Sequence, residues 1–163
     1  MINFQGIVKP AFHAYRFLNQ LGAEEIFRAD GFVATRDNDR GALAAVAYHY
    51  PEECRLAPRV TKSFEDAAAD LATGSPRTYQ IQIRDLEPGS AFAIEVVDAE
   101  AGFAGSVWRE IGSPHSPSRS QIELLKECAW ATKRSVAIAD ETGVLNHPLK
   151  LSPWSIASIR EVR

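Results

Sequence analysis

The chain has 163 residues, 45% of them hydrophobic and 24% charged, which suits one globular domain, or one domain with an appendage, and supplies enough apolar material for a core. Its 18 basic and 21 acidic residues leave a formal net charge of −3, so composition argues against nucleic acid or an anionic membrane as a partner. Cys54 and Cys128 lie far apart without metal-ligand spacing and read as ordinary thiols; no disulfide framework, metal site or cofactor is indicated. No run reaches the length of a transmembrane span, and the first residues lack the basic and apolar regions of a signal peptide, so the expected location is cytoplasmic.

The first element is a helix between Pro10 and Gly22. Proline suits the first helical position, where its missing N–H has no intrahelical partner, and glycine can take the left-handed conformation that closes a helix. Phe12, Tyr15, Leu18 and Leu21 recur at three-residue spacing, with Ala11 and Ala14 beside them, and predict one apolar face; Phe17 adds apolar surface on another side. After Gly22 the pattern becomes strand-like. Residues 31–36 and 42–50 flank a turn of Asp37-Asn38-Asp39-Arg40-Gly41 and predict a β-hairpin that Pro51 ends. Within residues 52–76, Ser63 and Asp66 form a weak capping box that opens either a short helix to Leu71 or a loop with a single turn.

Tyr79, Ile81 and Ile83 alternate with polar residues. Pro88-Gly89 reads as a turn, and Phe92, Ile94 and Val96 repeat the alternation, which predicts a second hairpin. Residues 102–117 read as irregular. Ser118 and Gln121 make a capping box for a helix to about Thr132, with Ile122, Leu125, Cys128 and Ala129 on one face. Strands follow at residues 135–139 and in the closing stretch, where Trp154, Ile156, Ile159 and Val162 anchor and Pro153 bends the ladder. Short turns between strands cannot make parallel crossovers. The fold class expected is therefore mainly β, an antiparallel β-sandwich with an N-terminal helix and one further helix inserted between strands.

Two segments also resemble a known family. Lys9-Pro10-Ala11-Phe12-His13-Ala14-Tyr15-Arg16, ending in Leu18-Asn19-Gln20-Leu21-Gly22, resembles the last helix of the catalytic barrel in glycoside hydrolase family 39, which contains β-xylosidases and related α-L-iduronidases. Residues 2–7 look like the segment entering that helix, so Met1 looks like an internal position. Trp108-Arg109-Glu110-Ile111-Gly112-Ser113-Pro114, the helix from Ser118, and Pro153-Trp154-Ser155-Ile156-Ala157 look like parts of the β-sandwich that follows the barrel. Gly102-Phe103 departs from the Gly-Asn that relatives carry before the Trp segment. The resemblance implies two regions: residues 1–22 as a segment and helix from the end of a TIM barrel, and residues 23–163 as an accessory sandwich.

It does not carry catalytic residues into this chain. A retaining glycosidase needs two carboxyl groups roughly 5–5.5 Å apart on a rigid frame, and in this family both glutamates sit on barrel strands, the acid/base after an Asn. No Asn-Glu dipeptide occurs here. His13 fits a structural role, bonded to a neighbouring carbonyl or fixing barrel to sandwich, and no two of the 4 histidines have metal-ligand spacing. No Gly-x-Ser-x-Gly elbow supports a serine triad. Among the aromatic residues Trp108 is the candidate for stacking on a sugar.

The expected function is the C-terminal accessory β-sandwich of a β-xylosidase-type family-39-like enzyme, structural and not catalytic by itself. Its expected partner, through Phe12, Tyr15, Leu18 and Leu21, is the catalytic barrel or a second copy in a homodimer; a helix folded back on its own sandwich would also cover that face. The alternatives are a free-standing carbohydrate-binding module and a glycosidase acting through residues the sequence does not reveal.

Overall fold

Lys9 is extended and Pro10 occupies the first helical position, so helix α1 runs Pro10–Leu18. The computed structural model describes residues 1–56 and 63–162. Asn19 ends the helix in a right-handed conformation, a turn before the expected end. Gly22 serves a different purpose from the expected left-handed cap: a Cβ there would strike the Arg36 backbone, so glycine lets the chain leaving α1 pass close to a strand end.

The remaining elements are β1 (Glu24–Ala29), β2 (Phe32–Arg36), β3 (Leu43–His49), α2 (Glu52–Leu56), α3 (Phe64–Leu71), β4 (Arg77–Ile83), β5 (Ala91–Val97), α4 (Ala104–Glu110), α5 (Arg119–Trp130), β6 (Lys133–Ile138), β7 (Leu145–Leu151) and β8 (Ser155–Val162). One sheet has six strands in the order β1-β2-β3-β8-β5-β6 and the other pairs β4 with β7, all antiparallel. The antiparallel sandwich expected from the turns is the fold.

The first hairpin forms as expected, with Phe32 opposite Ala47 and Arg36 opposite Leu43. The second does not. β4 pairs with β7, whereas β5 pairs with β6 and β8, so residues 84–90 cross between the sheets instead of turning within one. Ile81, Phe92 and Ile94 are all buried in one core. Alternation tells which face of a strand is buried, and two strands facing each other across a sandwich satisfy it as well as two side by side.

Both capping boxes close. Ser63 and Asp66 exchange side-chain and backbone bonds at the start of α3, which selects helix over loop, and Ser118 and Gln121 do the same for α5. Of residues 52–76, positions 57–62 lie outside the described residues. The stretch expected to be irregular contains α4, which Phe103 precedes in an extended conformation without a side-chain cap.

The main core lies between the sheets, where Phe92, Ile94 and Ile159 of the large sheet meet Ile81, Leu145, Leu149 and Leu151 of the small one. The opposite face of the large sheet carries α1: Phe17 is fully buried against Val46 and Val97, with Leu21, Val33 and Ile156 around it. Ile7 and Val8 pack with Leu125 and Ala129 of α5 and with Trp108 of α4. The helix does fold onto its own sandwich, but through Phe17, and the expected Tyr15 and Leu18 face stays exposed. Among the described residues no helix is long and apolar enough to cross a membrane.

Candidate functional site: the junction of the first helix and the large sheet

α1 does not rest on the face that its apolar periodicity marks. His13 and Phe17, four residues apart and so one above the other, are fully buried. Phe12 and Leu21 are half-buried, while Tyr15 is 62% and Leu18 48% exposed. A histidine can take the central position because its polar atoms are satisfied there. Its Nε2 lies 2.7 Å from the Ala129 carbonyl, and its Nδ1 lies 3.2 Å from Nη2 of Arg16. Arginine can only donate, so Nδ1 accepts and Nε2–H donates to the carbonyl: the ring is neutral. Burial, the largest influence, holds the His13 pKa below its ordinary 6.5; the Ala129 bond opposes that, the Arg16 charge adds to it and the Glu95 charge opposes it.

The same Arg16 grips β5. Its Nη1 and Nη2 donate to the two carboxylate oxygens of Glu95 at 3.0 and 2.6 Å, and the Thr132 hydroxyl donates to Glu95 at 2.6 Å. Arg134 approaches the same carboxylate at 3.5 Å. Burial raises the Glu95 pKa, but the Arg16 and Thr132 hydrogen bonds and the charges of Arg16 and Arg134 outweigh it and hold the carboxyl at about 2. A continuous network thus runs from the Ala129 carbonyl at the end of α5, through His13 and Arg16, to Glu95 and Thr132. It fixes the rotation of α1 about its own axis. Gln20 adds one more tie, accepting the Ser158 hydroxyl at 2.6 Å.

A cleft of about 500 Å³ opens beside this junction, lined by Arg16, Gln20, Glu95, Arg134, Ser158 and Arg160 among others. A second, apolar groove of about 660 Å³ lies between the sheets, lined by Phe27, Phe32, Tyr79 and Ile83 among others. Among the described residues neither is lined by a pair of carboxyl groups. Among the described residues no three His, Cys, Asp or Glu side chains gather where they could hold a metal ion.

The ring singled out for sugar stacking, Trp108, is half-buried on α4, with its Nε1 donating to the Pro114 carbonyl at 3.3 Å. Trp130 is 46% exposed but meets Phe12 edge-on at 77°, and Trp154 meets Tyr50 edge-on at 80°. Flat, paired aromatic faces of the kind that grip a pyranose are not formed by these rings. Sequence reasoning found His13 but missed Arg16 and Glu95, which lie 79 positions apart. The available signal was the three-residue spacing of His13 and Arg16, which puts both on one side of the helix.

The class these elements define is an antiparallel β-sandwich with a helix packed on the outer face of its larger sheet. No family model matches the chain. Its sequence is 30% identical over 127 residues to a β-xylosidase of Geobacillus stearothermophilus, covering 77% of this chain and 21% of that enzyme. Its fold is similar to that of a family-39 enzyme from Xanthomonas axonopodis pv. citri, with a TM-score of 0.74, 15% identity, and coverage of 98% of this chain and 31% of the other. It is also similar to a monomeric β-xylosidase from Caulobacter crescentus CB15, with a TM-score of 0.66, 22% identity, and coverage of 98% and 32%. A bacterial orthologue of human α-L-iduronidase gives a TM-score of 0.68 at 17% identity, covering 96% of this chain and 27% of that protein. This chain matches a C-terminal region of glycoside hydrolase family 39. It spans between 21% and 32% of the length of these relatives.

Proposed function

We propose that this chain is the accessory sandwich of a β-xylosidase-type family-39 enzyme, that α1 is the last helix of its catalytic barrel, and that its work is support and not hydrolysis. The supporting observation is that α1 has two apolar sides. Phe17 is keyed to the sheet and His13 to the end of α5, while Tyr15 and Leu18 are exposed to solvent. A helix resting on a single surface needs one apolar stripe; a second stripe suits a helix held between two layers. In the entry segment, Phe4 is 96% exposed, which adds apolar surface near the start of the helix. The catalytic barrel covers this side in an intact enzyme, and a second copy covers it when the chain is alone.

Phe12 is poorly suited to a test of this surface, because its ring packs on Trp130 at 5.2 Å. The double substitution Tyr15→Asp with Leu18→Asp changes the outward side alone. Sedimentation of the isolated chain is expected to show self-association that the double variant abolishes while keeping its helical circular dichroism. Neither protein is expected to release aryl from an aryl β-xyloside. A wild-type chain that stays monomeric at high concentration would contradict the covered face, and xyloside turnover would contradict the supporting role.

A further inference from the structure

We infer that the cleft beside α1 is a binding site for a compact oxyanion, a carboxylate or a phosphate, held by Arg134 and Arg160 above Ala93. The register builds it. On the outer face of the large sheet, Arg134, Glu95 and Ser158 stand in one row across three strands, and Val136, Ala93 and Arg160 stand in the next. Ala93 presents only a methyl group at the centre of its row, so the floor is low and the longer side chains around it form walls.

Charge and hydrogen bonding then select the ligand. Arg16, Arg134 and Arg160 line the cleft with Glu95 as its one carboxylate, so three guanidiniums outweigh it by two charges. Glu95 is already engaged by Arg16 and Thr132, with Arg134 3.5 Å away, and Arg134 Nε also donates to the Thr132 hydroxyl at 3.3 Å. Among the described residues Arg160 makes no side-chain hydrogen bond or ion pair, and the Gln20 side chain bonds through its oxygen alone, leaving the amide N–H groups able to donate. The donors of Arg160 and of the Gln20 amide, in a concave site with excess positive charge, fit an oxyanion, and guanidinium forks match the two-oxygen edge of a carboxylate or phosphate. The site lies on the sheet side of α1 and does not depend on what covers Tyr15 and Leu18.

Calorimetric titration of the full chain with inorganic phosphate and with acetate, against chloride at matched ionic strength, tests this directly. Saturable binding by at least one probe is expected, with a dissociation constant of about 1 mM or tighter, together with shifts of the Ala93 and Ser158 amide resonances. The variant Arg134→Gln with Arg160→Gln should weaken binding about tenfold or more, while Arg28→Gln, on β1 and paired with Glu25, should leave it unchanged. Saturation by phosphate alone assigns a phosphate ligand, by acetate alone a carboxylate, and by both a general oxyanion site. Titrations that never saturate with either probe, or equal affinity in the double variant, would overturn the inference.

Discussion

Replacing Glu95 by glutamine removes the one negative charge that holds α1 to β5 and leaves the Arg16 guanidinium, 28% exposed, without its counter-ion. The folded carboxyl titrates at about 2 and the ordinary value is 4.5, so the folded state favours the ionised form. At about 1.36 kcal/mol for each pH unit of that gap, the ceiling is about 3 kcal/mol, and partial solvent access brings the expected contribution to about 2 kcal/mol. A depressed pKa means that this stability is fully present above 4.5 and is lost as pH falls from there to about 2. His13 acts at milder acidity. Its pKa lies below 6.5, so its neutral form is favoured in the fold, and its contribution begins to fall as pH drops below that value in wild type and variant alike. Urea unfolding followed by circular dichroism should therefore find Glu95→Gln about 2 kcal/mol less stable near neutral pH, with the gap closing through the acid range. A gap that stays constant on acidification, or widens, would refute the assignment of Glu95 as an ionised anchor.

The other expectations concern packing and capping. Phe17→Ala should cost about 3–5 kcal/mol in the same unfolding assay, because the ring is fully buried against Val46 and Val97; a loss under about 1 kcal/mol would mean that α1 is not docked on the sheet. Ser118→Ala should cost about 1 kcal/mol by removing the acceptor for the Gln121 N–H, and Ser118→Asp should restore most of it.

Some of this architecture is legible in local sequence. Ser118 with Gln121 marks a helix start wherever the chain sits, because both partners of the capping box lie within four residues, and the β2–β3 hairpin is marked by its own turn. Pairings set by the other side of the molecule are not. β4 and β5 share a buried side but belong to different sheets, and only the position of β7, more than sixty residues after β4, decides that. β1 is exposed along its whole length and carries a bulge between Glu25 and Phe27, so the alternation that would announce it is broken. The rotation of α1 was hidden for a chemical reason. A periodicity count treats His13 and Arg16 as polar and assigns them to solvent, yet the Ala129 carbonyl and the Glu95 carboxylate satisfy them in the interior, so the buried side turns away from the Tyr15–Leu18 stripe. The oxyanion cleft is a still longer-range product, since its walls come from α1, β5, β6 and β8.

The central claim, that this chain supports a catalytic barrel, is tested most directly by reading the DNA upstream of the Met1 codon far enough to encode roughly 250 residues, the usual size of such a barrel. The account predicts an uninterrupted frame with alternating strand and helix patterns and an Asn-Glu at the end of a strand. An in-frame stop codon just before Met1, with no barrel encoded nearby, would contradict it and make the sandwich a protein that acts alone.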